Sequence, residues 1–170
     1  MRVVLAPGAS GTAAKMKPYV DGLAARGLAA EAIDIPRRRA EDAVDAYAAA
    51  ALHDQGTVIG GQSYGGRVAS LLAASPGTRV AGLILVSYPL HRPGAPEWEL
   101  RTDHWGGIRC PVLFLSGEAD PFARIDLLRV AIAERLPKAT LHTWPRVGHG
   151  LGPVLDDAID RIASFVERLD

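Results

Sequence analysis

Short apolar runs rich in valine, isoleucine and leucine recur along the chain at 2–6, 30–35, 57–60, 80–87, 111–116 and 140–144. They are continuous more often than alternating, as a strand requires when both its faces are covered. Six parallel strands between layers of helix are therefore predicted. Helical spacing fills the intervals at 18–26, 41–53, 65–74 and 125–136, closed by Gly27, by the turn near Gly56, by Pro76 and by Pro137. A last segment, 155–169, sets Ile159, Ile162, Val166 and Leu169 three or four residues apart, which puts an apolar stripe on one helix face. The alternation implies right-handed crossovers, so the expected fold class is α/β: a three-layer α/β/α sandwich around a doubly wound parallel sheet.

One interval breaks the pattern. Residues 89–109 contain prolines, glycines, His91, Trp98, His104 and Trp105 without sustained periodicity. Loops of this length inside a compact domain tend to be functional, so the segment is a candidate lid or substrate loop. The 170 residues, 48% of them apolar, suit one domain with one core. Nineteen basic residues balance nineteen acidic ones, which leaves no global field to hold a polyanion, so nucleic acid is not an expected partner. Cys110 has no second cysteine with which to form a disulfide or a metal cluster. The apolar run at the N-terminus is too short for a signal-peptide core, and no stretch approaches a membrane span. The expectation is a cytoplasmic protein that needs neither metal nor other cofactor and leaves its oligomeric state open.

The chemistry concentrates in Gly61-Gln62-Ser63-Tyr64-Gly65-Gly66, between a predicted strand and a predicted helix. It matches G-x-S-x-G, in which a serine on a strained strand-to-helix turn is pushed out of the sheet and the helix N-terminus faces a developing oxyanion. The alternative is a plain glycine-rich turn or a phosphate loop. The dinucleotide pattern fails at Gln62, and no lysine follows as a Walker A loop requires. A serine hydroxyl needs a base and an orienting acid. Asp120, in Ser116-Gly117-Glu118-Ala119-Asp120-Pro121, follows the fifth strand, and His149, in Gly148-His149-Gly150, follows the sixth. The carboxyl ends of parallel strands share one crevice, so Ser63, Asp120 and His149 are the candidate catalytic group. Glu118 remains an alternative acid, and Asp120 could instead cap the next helix. His53 and His142 lie on a helix end and within a strand, so they compete poorly as the base.

Paired oxyanion donors should come from the backbone N–H groups of Tyr64 and Ala9, the latter in Pro7-Gly8-Ala9-Ser10-Gly11 after the first strand. Gly8, which allows close approach, together with His91, Trp98 and His104, are candidate substrate contacts. Arg37-Arg38-Arg39 after the second strand could steer an anionic substrate or simply be solvated.

With these pieces placed, the chain resembles an α/β-hydrolase over nearly its whole length, the order Ser…Asp…His included. More narrowly, it resembles the compact group related to dienelactone hydrolases, with the testis-expressed protein 30-like and KANSL3-like hydrolases. The likeness runs also through Gly117-Glu118-Ala119-Asp120-Pro121-Phe122 and Gly148-His149, and its narrower signs are Ala6-Pro7-Gly8-Ala9-Ser10-Gly11, Tyr88-Pro89-Leu90-His91 and Leu100-Arg101-Thr102-Asp103-His104. The resemblance implies a fold without the antiparallel strands that begin larger members, and it puts Ser63, Asp120 and His149 in the triad positions. Pro7, where many relatives carry histidine, and Ser10 depart from the pattern. Dienelactone hydrolases proper use a cysteine where this chain has Ser63, so their substrate does not transfer. The expected activity is hydrolysis of a small-molecule carboxylic ester or thioester through an acyl-enzyme. The rival expectation is an interaction module that kept the fold and lost the chemistry.

Overall fold

The computed structural model describes residues 1–53, 56–95 and 99–169. Six strands form one sheet: β1 (Arg2–Ala6), β2 (Ala29–Ala32), β3 (Thr57–Gln62), β4 (Gly82–Val86), β5 (Val112–Gly117) and β6 (Thr140–Trp144). All neighbours are parallel, in the order β2-β1-β3-β4-β5-β6. The helices are α1 (Lys17–Ala24), α2 (Val44–Ala51), α3 (Tyr64–Ala74), α4 (Ile125–Arg135) and α5 (Leu155–Glu167). The predicted helix over 41–53 divides into a short 3-10 turn at Ala40–Ala43 followed by α2.

Each strand sends alternate side chains into two cores. Val4, Ile59, Leu83, Leu85 and Phe114 meet Tyr47 of α2, Val68 and Leu72 of α3 and Leu128 and Ile132 of α4. Val3, Leu5, Val58, Ile84, Leu113 and Leu115 meet Leu23 of α1 and the stripe Ile159, Ile162 and Val166 of α5 on the other face. A strand buried on both sides has no polar face to offer, which is why the sequence runs are continuously apolar. β2, at the sheet edge, is only half-buried and alanine-rich, and it ends three residues short of the apolar run that predicts it. Because β1 is followed by β2 on one side and flanked by β3 on the other, the sheet reverses its winding at β1, and the crevice above the β1–β3 seam is where such sheets bind ligands. No helix among the described residues is long and apolar enough to cross a membrane.

The described part of 89–109 is anchored. Trp105, within a 3-10 turn at Asp103–Gly107, is fully buried against Tyr88 and Phe114, with ring centroids 5.3 and 5.2 Å away. Tyr88 donates its hydroxyl proton to the Arg101 carbonyl (2.6 Å). Residues 99–109 are therefore the part of the β4–β5 connection that packs on α3. The expected substrate contact Trp98 lies outside the described residues.

Candidate active site

β3 ends at Gln62 and α3 begins at Tyr64, so Ser63 alone turns the chain. It does so at φ 49° and ψ −113°, a conformation that costs a non-glycine residue about 1–3 kcal/mol. The surroundings hold it there: the Ser63 N–H donates to the Val86 carbonyl (2.8 Å), and the Ser63 carbonyl accepts from the Arg67 N–H (2.9 Å). The flanking glycines follow from close packing on the end of β1. A Cβ at Gly61 or at Gly65 would lie 2.3 Å from the Ala6 carbonyl oxygen, a backbone atom that cannot step aside.

The loops after β5 and β6 are knitted together. Glu118 N–H donates to the Trp144 carbonyl (3.0 Å) and Ala119 N–H to the Val147 carbonyl (2.9 Å). Asp120, its side chain fully buried, accepts the Phe122 N–H at Oδ1 (2.8 Å). Its two oxygens lie 2.9 and 2.8 Å from His149 Nδ1, and His149 Nε2 lies 2.8 Å from Ser63 Oγ. A carboxylate only accepts, so Nδ1 carries the proton and Nε2 is left to accept from the serine hydroxyl. That tautomer is assigned from the hydrogen-bond network. Glu118 is occupied elsewhere, by Thr143 Oγ1 (2.6 Å) and Arg129 (3.2 Å), which resolves the choice of carboxylate facing His149 in favour of Asp120.

Gly8 runs directly beside the serine: a Cβ there would be 3.7 Å from Ser63 Cβ. The loop turns tightly, with Gly11 N–H donating to the Gly8 carbonyl (3.0 Å), and leaves Ala9 exposed. Tyr64 begins α3, so its N–H is one of the donors that a helix leaves unsatisfied. Neither the Ala9 nor the Tyr64 N–H meets a protein acceptor among the described residues. The Tyr64 side chain turns away, donating to the Pro36 carbonyl (2.7 Å) and accepting from the Arg38 N–H (3.3 Å).

Two expected substrate contacts have protein partners. His91 is 2% exposed, and both its ring nitrogens are taken: Nε2 accepts from the Arg124 N–H (2.9 Å), so Nδ1 donates to the Arg92 carbonyl (2.9 Å). The ring clasps the segment after β4 to the start of α4 and has nothing left for a substrate. His104 lies 2.8 Å from Ser70 Oγ, two turns along α3 from Ser63, and burial, aided by the nearby Arg67 charge, pushes it down to about 4. Sequence reasoning gives no role to Phe122, whose ring stacks on His149 with centroids 4.3 Å apart. Its only signal is an aromatic residue two places after the acid. Two cavities of about 320 and 310 Å³ open elsewhere, the larger between 108–112 and 135–139 at the opposite edge of the sheet, and neither is lined by Ser63, Asp120 or His149. The hydrogen-bonded geometry, more than the size of a hollow, marks the site.

A family model described as an alpha/beta hydrolase domain matches residues 36–161. Among solved structures, the chain is similar to a monoacylglycerol lipase of Paleococcus ferrophilus (14% identity, 99% of this chain and 95% of that chain, TM-score 0.81). It is also similar to an esterase of Pyrococcus furiosus (14%, 98% and 82%, TM-score 0.75) and to a pyrethroid hydrolase of Sphingobium faniae (17%, 98% and 97%, TM-score 0.74). At such identities the likeness establishes the fold.

Proposed function

Because the chain belongs to the alpha/beta hydrolase domain family, we propose that it is a serine hydrolase acting on a carboxylic ester or thioester, within the dienelactone-hydrolase-related group that its sequence resembles. The observation that carries this reading is the unbroken chain from Ser63 Oγ through His149 to buried Asp120, every link 2.8–2.9 Å, on a serine held in a strained turn. A strained backbone that puts a hydroxyl on an imidazole has no packing benefit to explain it, whereas nucleophilic attack requires that arrangement.

Ser63 Oγ attacks the acyl carbonyl as its proton passes to His149 Nε2. Asp120 holds the Nδ1–H tautomer and stabilises the imidazolium that forms. The oxyanion is received by the N–H groups of Ala9 and Tyr64, aided by the positive end of α3. His149 then protonates the leaving alcohol or thiol, and water, activated by the same imidazole, releases the acid and restores Ser63. Labelling by a fluorophosphonate and subsequent peptide mapping test the reading, with modification expected at Ser63. Ser63→Ala should abolish labelling and remove most of an acceleration of about 10^6-fold in kcat. Unchanged ester hydrolysis by Ser63→Ala would refute it.

A further inference from the structure

The site is bordered by more positive charge than the fold requires. Arg38 sits in the loop that Tyr64, the residue after Ser63, holds by its hydroxyl, and Arg37 Nη2 donates to the Gly11 carbonyl (3.2 Å) in the loop that carries Gly8 and Ala9. Arg67 lies one helical turn below Ser63, its N–H on the Ser63 carbonyl. Arg92 follows His91, whose N–H donates to the carbonyl of Phe122, the residue stacked on His149. Arg101 lies between, its Nη1 donating to the Pro89 carbonyl (3.2 Å). Arg38 and Arg67 are thus one hydrogen bond from Tyr64 and Ser63, Arg37 reaches the loop that carries Gly8 and Ala9, and Arg92 and Arg101 adjoin the segment after β4.

Counter-charge here comes from Glu41 and Asp103. Among the described residues, Arg67 alone of the five makes an ion pair, with Glu41 (2.7 Å), and its Nε is buried with no partner. A buried N–H without an acceptor is costly. Arg101 is held below the usual guanidinium range by burial and then by the Arg67 charge, which also depresses His104. On a chain whose nineteen basic and nineteen acidic residues cancel, this is a local excess beside the reactive serine.

We infer that the ester or thioester cleaved at Ser63 carries a second, anionic group, a carboxylate or a phosphate, received by the arginine arc of Arg37, Arg38, Arg67, Arg92 and Arg101. The inference rests on the serine hydrolase reading above. The anion can lie on either side of the scissile bond: a carboxylate at the far end of the acyl chain, or phosphates on a thiol leaving group.

Two probe pairs separate these sources. Mono-p-nitrophenyl glutarate against p-nitrophenyl butyrate places the charge on the acyl side, and butyryl-coenzyme A against butyryl-N-acetylcysteamine places it on the leaving group. In one pair the charged probe should exceed its neutral partner in kcat/KM by about tenfold at low salt, with the advantage shrinking toward about 0.5 M salt. Arg38→Gln and Arg92→Gln, both exposed positions, should each cut that ratio by about threefold. Arg38→Lys should retain most of it, because the charge and not the side-chain shape sets the field. Equal kcat/KM within both pairs, in protein labelled at Ser63 by a fluorophosphonate, overturns the arc and leaves the hydrolase reading standing. Absence of both labelling and turnover of all four probes overturns the two together.

Discussion

The ring of Phe122 lies against the imidazole of His149, centroids 4.3 Å apart and planes inclined by 34°. The same residue gives its N–H to Asp120 Oδ1 and receives the His91 N–H on its carbonyl (3.0 Å). Phe122 therefore fixes Asp120 by its backbone and His149 by its ring, while the His91 N–H fixes Phe122. An aromatic face also favours the cationic imidazolium that proton transfer creates, by about 0.5–2 kcal/mol. Phe122→Leu is expected to lower kcat by about tenfold with a smaller change in KM and little loss of Tm, and Phe122→Tyr to keep most of the activity. A change confined to KM would make the ring a substrate wall and remove its positioning role.

Asp120→Asn keeps size and can still accept the Phe122 N–H, but its amide would present N–H groups to His149 Nδ1–H. The imidazole must then flip its tautomer, and Nε2 can no longer accept from Ser63. By precedent in other triads the expected loss is about 10^4-fold in kcat at nearly constant KM. Glu118→Gln, which disturbs only the contacts to Thr143 and Arg129, should stay within a few-fold of the parent. Steady-state kinetics on one activated ester compares the two, and a larger effect at 118 would reverse the assignment.

These two carboxylates show what a sequence can carry. The six parallel strands, the elbow and the loop positions of Asp120 and His149 are legible because each follows from a constraint that few residues satisfy: two-sided burial demands apolar runs, and Gly61 and Gly65 face the Ala6 carbonyl at distances no side chain tolerates. Deciding between Asp120 and Glu118 needs the knitting of the β5 and β6 loops, a contact between segments about thirty residues apart. His91 reads in the sequence as a candidate substrate contact, since two bonds to backbone leave no mark on its neighbours. Trp105 reads as part of a lid because a five-residue 3-10 turn is too short to show periodicity, and its burial comes from Tyr88 and Phe114 on other elements. The bounds of edge strand β2 are blurred because a half-covered alanine strand has little apolar contrast with the residues on its C-terminal side.

The pair of His104 and Ser70 gives the fold a pH dependence. Ser70 Oγ donates to the Arg67 carbonyl (2.7 Å), so His104 Nε2 is the donor to Ser70. Burial first, and then the Arg67 charge, lower the imidazole from 6.5 to about 4. Between those values the unfolded chain binds a proton that the folded one refuses, so stability is lost as pH falls from about 6.5 toward 4. The loss at pH 4 should be roughly 1–2 kcal/mol, less than the full shift implies because water still screens part of the ring. His104→Gln, which keeps a donor for Ser70, should flatten that portion of the profile in denaturant titrations at pH 4.5 and 7. An unaltered difference between the two pH values would assign the slope to other groups.

Ser87 carries two costs at once. It is fully buried with no partner for its hydroxyl among the described residues, and it sits at φ 49°, the left-handed region where a side chain is strained. An orphaned buried hydroxyl costs about 1–3 kcal/mol and the strained backbone a similar amount. Ser87→Gly removes both and adds chain entropy to the unfolded state, a cost of about 0.5–1 kcal/mol, so a net gain of about 1 kcal/mol is expected in equilibrium unfolding. Ser87→Ala, which removes only the hydroxyl, should gain less. Destabilisation by Ser87→Ala would show that the hydroxyl is satisfied by a buried water and is worth keeping. The gain from Ser87→Gly should come with slower turnover. The carbonyl of Val86, in the peptide immediately before Ser87, is the acceptor that holds the Ser63 N–H, so freeing φ at 87 loosens the anchor of the strained elbow. A variant that is both more stable and fully active would mean that the strain at 87 has no part in holding Ser63.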